Sequence, residues 1–482
     1  MTTPTREHDE GSPFLKPDHD GRSRARAPGV DMRADAPSSS LVRDPGPASD
    51  NALFGLSARR HWGLELALAS LIFIPVTVSF GLPIHEVTAG YLAMIAIGVV
   101  CLVQFPGGIS ATAVLIALAP TAFIALSALH ASARIPTIAS AIRPWAALAI
   151  LALGLRAFAA AQPDAFRRAL ASILPLGAAI GALAVYQRAV GGWPVLDELA
   201  RAPQYTSLSY PGRSGGTMGH PIILGAVMAA VLILTVAMRP RQRLLYISLA
   251  TMAVLLSGSR SALVALMVVT LVAGLSRTRE RISATTAVVT GWTVLLVGTV
   301  AYAFGAAAVK QSLGDLLERF ALQGDASAAQ RGDRFSVAWN LITESPGTVF
   351  AGHGPGYSVT YLSTVDVGFT NAYTFDNTYL SVWVDFGLLA LVPLIASLLI
   401  AFTLASLPGR CLLALVATEA MFFDITSWPA ILLVAALGAA MFRGVDIRLR
   451  RTHAQRKTPS NRDGDPLIAG CPTARSASGS TA

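Results

Sequence analysis

Charged residues and cysteines are scarce in this sequence. Asp, Glu, Lys and Arg together make up 13% of the 482 residues, whereas hydrophobic residues make up 53%. A soluble protein of this length carries roughly 25% charged residues. The hydrophobic residues occur in runs of about 20, the length that crosses a bilayer as a helix. The composition therefore excludes an ordinary soluble protein and predicts a membrane protein.

The sequence also lacks the patterns of a disulfide framework, a metal site or a nucleotide site. Cys101 and Cys411 lie in or beside hydrophobic runs, and Cys471 lies in the polar C-terminal segment. No Walker motif, dinucleotide-binding fingerprint or zinc-binding motif is present in the sequence. We therefore expect no metal and no cofactor. An enzyme of this kind needs a substrate that has been activated beforehand.

The net charge of +9 indicates orientation in a membrane, not nucleic-acid binding. Arginines cluster in short segments between hydrophobic runs, as the positive-inside rule describes for cytoplasmic loops. The clusters at 239–243 and 277–281 and the basic segment 443–457 are then cytoplasmic. We expect both termini to be cytoplasmic and no nucleic acid among the partners.

The chain divides into a membrane domain between two polar tails. Residues 1–60 and 444–482 lack hydrophobic periodicity and are predicted to be disordered cytoplasmic tails. Residues 61–443 are predicted to form an all-α, multi-pass domain of the plasma membrane with about twelve spans. External loops are expected at 191–218 and 306–378. The predicted spans are 62–80, 87–105, 110–129, 145–161, 169–190, 219–238, 244–257, 261–276, 283–305, 379–404, 411–426 and 428–442.

Two pairs of predicted spans are short for a bilayer. The pair 244–257 and 261–276, like the pair 411–426 and 428–442, fits either a tight hairpin or a single bent element. We favour hairpins, because collapsing one pair would move a basic cluster to the external face.

Two predicted external segments combine small residues with an arginine. In residues 210–221, glycines let backbone amides approach a ligand, Arg213 adds a fixed charge and His220 precedes a span. In residues 257–263, Arg260 lies between serines at the start of a span, where the helix dipole favours an anion. Both patterns suit a phosphate. The alternatives are a flexible loop and an arginine that closes a hairpin.

A third segment, residues 331–342, predicts an amphipathic helix at the membrane surface, because its hydrophobic residues recur with helical spacing. Arg331 and Arg334 lie near its N-terminal end. A glycine-rich loop follows and contains His353. The His353 imidazole is a candidate catalytic base, and the alternative is an incidental loop histidine.

A fourth segment, residues 375–389, is where a polar loop becomes a membrane span. Asp376 and Asn377 lie at its mouth, followed by Tyr379 and, two turns later, by Asp385. An ionisable residue inside a span is expensive and is a functional candidate for that reason. Asp376 is therefore a candidate general base, and the alternative is that it caps the helix with Asn377.

These segments bring three arginines and at least one carboxylate to the same predicted face of the membrane. The guanidinium groups of Arg213, Arg260 and Arg334 suit a diphosphate, which they bind in a bidentate fashion. A carboxylate suits a sugar hydroxyl, from which it removes a proton. The expected substrate is a sugar linked through a diphosphate to a lipid.

The four segments resemble, in order, motifs of the O-antigen ligase and polymerase superfamily of bacterial polysaccharide assembly. Residues 213–221 resemble its Arg-x-Ser-Gly-Thr-x-x-His-Pro segment with one extra glycine, and residues 258–261 resemble its Ser-Arg turn. Residues 334–356 resemble its large loop, and residues 376–387 resemble its His-Asn-x-Tyr-Leu…Glu-x-Gly stretch. The resemblance extends over about 205–405.

This resemblance implies an all-helical membrane fold of glycosyltransferase type C character in the inner membrane. It implies an external active site, an undecaprenyl-diphosphate-linked glycan as donor, a glycan acceptor, and a flippase and a chain-length regulator as further partners. Asn377, Tyr379 and Asp385 join the arginines and His220 as candidate substrate-binding residues. Ligase-type members carry histidine where this chain has Asp376, and this difference favours a polymerase.

Two other functions stay open from the sequence. A ligase that transfers finished glycan to another acceptor would use the same chemistry. A twelve-span transporter or flippase would use ionisable residues inside the membrane, of which Glu65, Arg156, Glu419 and Asp424 are candidates.

The predicted topology is testable with reporter fusions. A reporter fused after Lys457 should be active only in a cytoplasm-sensing format, because basic clusters bracket the membrane domain. External activity of that fusion would contradict an even number of spans.

Overall fold

The computed structural model describes residues 86–131, 135–191, 213–277, 326–364 and 375–443, and within these ranges the chain is helical without a β-strand. The described helices are α1 Glu86–Gln104, α2 Ala111–His130, α3 Ile135–Ala161, α4 Pro163–Val190, α5 Pro221–Met238, α6 Arg243–Ser257, α7 Arg260–Arg277, α8 Ala326–Ile342, α9 Pro346–Ala351, α10 Tyr357–Thr364, α11 Thr378–Leu404, α12 Leu407–Glu419 and α13 Pro429–Ala440.

The chain is a polytopic membrane protein that is all-helical over the residues described. Five helices are long and apolar enough to cross a membrane, namely α2, α3, α4, α5 and α11, and α1, α6, α7 and α13 are shorter apolar helices. The predicted spans 62–80 and 283–305 and both predicted tails lie outside the described residues. The total of about twelve spans therefore stays a prediction.

The helix ends follow local sequence signals. The Ser110 hydroxyl accepts a hydrogen bond from the backbone N–H of Ala113 at 3.2 Å and so caps α2. Ser345 and Thr348 form a reciprocal capping box at the start of α9. Pro163 occupies the first turn of α4, where its missing N–H costs no intrahelical hydrogen bond.

Three predicted boundaries are wrong in the same direction. The helix expected at 145–161 begins at Ile135, the one expected at 169–190 begins at Pro163, and the span expected at 411–426 ends as a helix at Glu419. Polar residues occupy the first turns of α3 and α4, so hydrophobicity did not reveal where these helices begin. Hydrophobicity marks the part of a helix in the membrane core and not the end of the helix. Beyond Glu419 the chain forms a short 3₁₀ turn at Ile425–Ser427.

One of the two predicted hairpins is confirmed and the other is not. Helices α12 and α13 pack against each other as expected. Helices α6 and α7 both form, but α6 packs against α4 and α5 whereas α7 packs mainly against α12. Gly258, in the left-handed region at φ 58°, turns the chain between them so that they splay apart.

Helix α5 lies at the centre of the bundle, and small residues let its neighbours approach closely. Nearly all of its side chains are buried, and α6 and α12 pack on it. A Cβ on Gly154 would lie 2.4 Å from the carbonyl oxygen of Gly98, and a Cβ on Gly409 would lie 2.6 Å from that of Gly438. These contacts between α1 and α3 and between α12 and α13 follow the small-residue packing of membrane helices.

Helix α11 is broken in its first third at Gly387. This residue has φ 67° and ψ −172°, which only glycine adopts without strain, and the helix resumes after it. Three carbonyl groups before the break then find partners elsewhere. The backbone N–H of His353 donates to the Val384 oxygen and that of Gly354 to the Asp385 oxygen, both at 2.9 Å.

The third carbonyl belongs to Phe386 and meets α2. The Ser127 Oγ lies 3.0 Å from this oxygen and 2.7 Å from the carbonyl oxygen of Ala351, so one hydroxyl bridges α2, α9 and α11. Irregular backbone at membrane depth is tolerated only where protein groups satisfy it, and this break meets that condition.

The two ends of the bundle have different chemistry. At one end, the Ser406 N–H donates to the Met441 carbonyl at 2.7 Å, and the Arg156 guanidinium lies 4.7 Å from the centroid of the Phe442 ring. This cation–π contact gives the Arg156 guanidinium a partner in the Phe442 ring. The other end, called the site end below, carries the segments that the sequence marks as functional.

We expect Gly387→Ala to destabilise the protein. The added Cβ would lie 2.2 Å from the carbonyl oxygen of Phe350, and alanine disfavours a positive φ. The free energy of unfolding should fall by at least about 1–3 kcal/mol, measured as a lower Tm of the detergent-purified protein. The control is Gly274→Ala, at a helical glycine with no atom within 4 Å of the new Cβ. Equal Tm values for both variants would contradict the broken helix.

Candidate functional site

The site end is organised around residues 417–428, which connect α12 to α13 and are called the connecting segment. Thr378, the first residue of α11, fixes this segment at three points. Its N–H donates to the Ala420 carbonyl at 2.8 Å, and its hydroxyl donates to the Phe423 carbonyl at 3.0 Å. The same hydroxyl accepts from the Ile425 N–H at 3.0 Å. The connecting segment and the mouth of α11 therefore form one unit.

Asp376 and Asn377, at that mouth, have different tasks. The Asn377 side chain accepts the Leu380 N–H at 3.1 Å and is the cap of α11. Asp376 adopts a left-handed backbone conformation at φ 52°, and its carboxylate forms an ion pair with Arg334 of α8. The Arg334 side chain is 4% exposed and that of Asp376 is 29% exposed. The Asp376 carboxylate is therefore partly accessible to solvent.

The predicted amphipathic segment forms helix α8, and its place at a membrane surface stays a prediction. Ala338 and Ile342 are buried, whereas Phe335 and Trp339 are about half exposed and stack on each other. Arg334 lies on the buried face because it reaches Asp376. For Arg331, which also lies in α8, the side chain lies outside the described residues.

Tyr379 and Asp385 lie on α11 within the same unit. The Tyr379 hydroxyl donates to the Ala417 carbonyl at 3.1 Å. The buried Asp385 carboxylate accepts the Gly356 N–H at 3.0 Å and the Ser358 N–H at 2.8 Å. Asp385 thus caps the N-terminus of α10 from another helix, which is a structural task that the sequence did not reveal.

His353 contacts backbone and an aromatic ring. Its Nε2 lies 2.9 Å from the Leu341 carbonyl oxygen near the end of α8. Its ring stacks on Tyr357 with the centroids 4.3 Å apart, and the Glu344 carboxylate lies 3.7 Å from Nε2. These contacts give His353 the task of attaching α8 to the glycine-rich loop.

Arg213 and His220 lie on a second wall of the site end. The Nε of Arg213 donates to the Ser257 carbonyl at 2.8 Å, and the Ser214 N–H donates to the Leu256 carbonyl at 2.9 Å. The predicted segments 210–221 and 257–263 are therefore in contact where both are described.

His220 caps α5 as a neutral side chain. Its Nδ1 accepts the Ile222 N–H at 3.2 Å, and its ring lies 5.5 Å from that of Trp428, centroid to centroid. Burial lowers the pKa of His220 to about 4, and the nearby Arg213 acts in the same direction. The printed contacts of His220 and Arg213 are structural, and their role in substrate binding stays a prediction.

Arg260 begins α7 beside a buried hydroxyl pair. Ser259 and Ser261 lie on either side of it, with their Oγ atoms 2.9 Å apart. The fully buried Glu419, at the start of the connecting segment, lies beside Ser261. The Arg260 turn therefore contacts the same connecting segment that Thr378 fixes from the other side.

A cavity of about 270 Å³, lined by apolar, hydroxyl-bearing and acidic side chains, lies on the α11 side of the connecting segment. It contains the carboxylates of Asp385 and Asp424, and Asp424 is close enough to both Asp385 and Asp376 for mutual repulsion. The Asp424 Oδ1 accepts hydrogen bonds from the N–H and hydroxyl of Thr426 at 3.0 and 2.7 Å.

The structure thus gathers the sequence-predicted residues around one segment that the sequence did not single out. His220 contacts this segment through Trp428, the Arg260 turn contacts it through Glu419, and the mouth of α11 contacts it through Thr378. Arg213 bonds to the neighbouring Ser257, and Arg334 bonds to Asp376. Asp385 lines one cavity together with Asp424 of the segment. Asp424 and Trp428 of the connecting segment are the functional candidates that sequence reasoning missed as part of this site. The available signal was an aspartate at the end of a short hydrophobic run, which we assigned only to a transporter.

Residues 244–395 match the family model described as O-antigen ligase. No curated protein gives a match. The match covers less than half of the chain and contains α6 to the middle of α11, including Arg260, Arg334 and Asp376. It confirms the predicted resemblance and supports an enzyme of the O-antigen ligase and polymerase type. A transporter is not favoured. Arg213, Asp424 and Trp428 lie outside the match.

We expect Thr378→Val to loosen the connecting segment. Valine keeps the shape but removes a hydroxyl that donates to Phe423 and accepts from Ile425, leaving two buried backbone groups without this partner. The free energy of unfolding should fall by about 1–3 kcal/mol, measured as Tm in detergent. The control is Thr403→Val on the same helix, whose exposed hydroxyl bonds only its own helix. A larger loss from the control would contradict the assignment.

Proposed function

We propose that this member of the O-antigen ligase and polymerase superfamily is a polysaccharide polymerase that joins lipid-linked glycan repeat units on the external face of the membrane. The observation that carries the proposal is the arrangement around the connecting segment. Arg213, which donates to the Ser257 carbonyl, and Arg260, three residues beyond Ser257, form a cationic wall. The Asp376 carboxylate pairs with Arg334 at the mouth of α11.

The cationic wall suits the leaving group of the reaction. A lipid diphosphate carries its negative charge next to the bond that breaks, and bidentate guanidinium groups stabilise that charge as it develops. Arg213 and Arg260 supply two such groups at the start of α5 and α7. The donor in this proposal is an undecaprenyl-diphosphate-linked glycan.

Asp376 is suited to act as the proton acceptor. The acceptor hydroxyl oxygen attacks the anomeric carbon of the donor sugar while the bond from that carbon to the diphosphate oxygen breaks. The hydroxyl proton passes to the Asp376 carboxylate, and the lipid diphosphate leaves with both bonding electrons. A single displacement of this kind inverts the anomeric configuration.

The ion pair between Arg334 and Asp376 makes the proton transfer depend on whether the donor is bound. In the absence of donor, Arg334 holds the Asp376 carboxylate. A diphosphate that binds nearby competes for the same guanidinium, and its capture of Arg334 frees the carboxylate for the acceptor hydroxyl. Binding of the donor and activation of the acceptor are then linked through one arginine.

The experiment is complementation of a strain that lacks this gene, with the glycan analysed as a ladder on a gel. A polymerase deletion leaves single repeat units, whereas a ligase deletion leaves full-length polymer on its lipid carrier. Restoration of long polymer by the wild-type chain supports the polymerase. Normal polymer length in the deletion strain, with only its transfer to an acceptor lost, would establish the ligase instead.

We expect Asp376→Asn to lower polymer formation by roughly 10²-fold or more, the contribution of a general base. Asparagine is isosteric, and Asn377 still caps α11, but the buried Arg334 loses its ion pair, so polymer is compared at equal membrane level of the two proteins. The control is Asp333→Asn, which removes an exposed carboxylate next to Arg334 in sequence. A wild-type ladder from Asp376→Asn would remove Asp376 from the mechanism.

A further inference from the structure

A second cavity lies in the half of the bundle away from the site end. Its volume is about 140 Å³, and α2, α3, α11, α12 and α13 each contribute lining residues. Apart from Ser397 and Arg156, all the lining residues are apolar, mostly alanine and leucine. An apolar cavity of about this size excludes water and accepts hydrocarbon, because water finds no hydrogen-bond partners in it. The part of a ligand that fills this cavity should therefore be apolar.

The cavity opens to the surface of the described bundle between α2 and α11. The lining residues Ile116 of α2 and Leu404 of α11 are partly exposed, Leu404 at 41%. Leu115 and Leu399, each next in sequence to a lining residue, are exposed as well. A hydrocarbon chain of the bilayer can therefore enter the cavity from the side.

Arg156 adds a positive charge to this apolar lining. Its guanidinium stays charged at any physiological pH and carries five N–H donors. The Phe442 ring, 4.7 Å away at its centroid, attracts the charge but offers no lone pair to these donors. Among the residues that the structure describes, no carboxylate forms an ion pair with Arg156. The guanidinium therefore suits an anionic group at the end of an apolar chain.

Further positive charge lies at the same end of the bundle. The Arg410 guanidinium donates to the carbonyl oxygens of Phe402 and Thr403, both at 3.1 Å, next to the end of α11. The chain that continues from Phe442 is basic, since residues 443–457 contain five arginines, one lysine and one aspartate. Basic clusters beside membrane helices attract anionic head groups.

The position of Arg156 decides which leaflet supplies the anion. Trp145 lines both this cavity and the one that contains Asp385 and Asp424. Arg156 follows Trp145 by eleven residues on α3, or roughly 16 Å along the helix axis. A carrier lipid with its diphosphate at the site end cannot also place that diphosphate at Arg156. An anion at Arg156 therefore belongs to a lipid of the other leaflet.

We propose that this cavity binds an acyl chain of an anionic phospholipid of the bilayer, with the phosphate of its head group at Arg156. The acyl chain fills the gap between α2, α3 and α11 and adds contacts between these helices. The inference does not depend on the proposed polymerase function, because the lipid binds at the other end of the bundle from the reacting groups.

The test is native mass spectrometry of the purified full-length protein titrated with dioleoyl-phosphatidylglycerol, dioleoyl-phosphatidylcholine or undecaprenyl phosphate. The first two lipids have the same chains and differ in net charge. Wild-type protein should bind phosphatidylglycerol at least about fivefold more tightly than phosphatidylcholine, the factor that one cation contributes near a membrane surface. Arg156→Gln should remove this preference, and Arg156→Lys should retain most of it, because the charge is kept.

Ala401→Phe tests the cavity without changing Arg156. Ala401 lines the cavity and is partly exposed, so a phenylalanine ring there should occupy the space of the acyl chain. The preference for phosphatidylglycerol should then fall below about twofold, since the chain no longer holds the phosphate at Arg156. This variant covers the case that Arg156→Gln folds poorly.

The matched control is Arg168→Gln, which removes an exposed arginine near the start of α4, outside the cavity lining. It should keep the wild-type preference. Equal affinities of the wild-type protein for phosphatidylglycerol and phosphatidylcholine, or a full preference in Arg156→Gln or in Ala401→Phe, would overturn the inference. Tighter binding of undecaprenyl phosphate than of phosphatidylglycerol, lost in Arg156→Gln, would assign the cavity to the carrier lipid and overturn it as well.

Discussion

The break of α11 at Gly387 is the feature on which the site end depends. A helix in lipid must satisfy every backbone polar group within the protein, so a break at membrane depth requires partners for the freed carbonyls. Here the partners are the N–H groups of His353 and Gly354 and the hydroxyl of Ser127. Hydrogen bonds to α11 therefore hold the glycine-rich loop in place, and N–H groups of that loop are the partners of carbonyl groups that the break sets free.

This mutual dependence extends to the charged residues. His353, fixed through its backbone to Val384, holds the end of α8 through Leu341. The position of α8 in turn brings Arg334 to Asp376. The buried Arg334 depends on its ion pair with the partly exposed Asp376 carboxylate, since a buried charge without its partner is costly. Backbone geometry in the membrane thus sets the electrostatics at its surface.

The connecting segment joins two groups of predicted site residues. Thr378, at the start of α11, bonds to its Phe423 and Ile425, and its Trp428 packs against His220. The segment therefore links the mouth of α11 to the start of α5.

The sequence by itself determined the membrane class, the helical fold of the described residues, the positions of most of their helices and the resemblance to the O-antigen ligase family. These depend on local properties: the length of a hydrophobic run, a capping residue, a short motif such as the Arg260 turn. It also singled out the segments that contain Arg213, Arg260 and Asp376, which lie at one end of the bundle, and their function stays a prediction. Capping by Asn377 was likewise readable, because a cap acts on its own helix.

Only the tertiary structure determined which partners these residues contact. The pairing of Arg334 with Asp376, the capping of α10 by Asp385 and the splay of α6 from α7 each join residues that no local pattern relates. Asp424 entered the site for the same reason, since its hydrophobic surroundings in the sequence indicated a span and gave no sign of a cavity. Side-chain partners in a helical bundle depend on how the helices pack, and packing depends on small residues such as Gly154 and Gly387 whose neighbours lie far away in the chain.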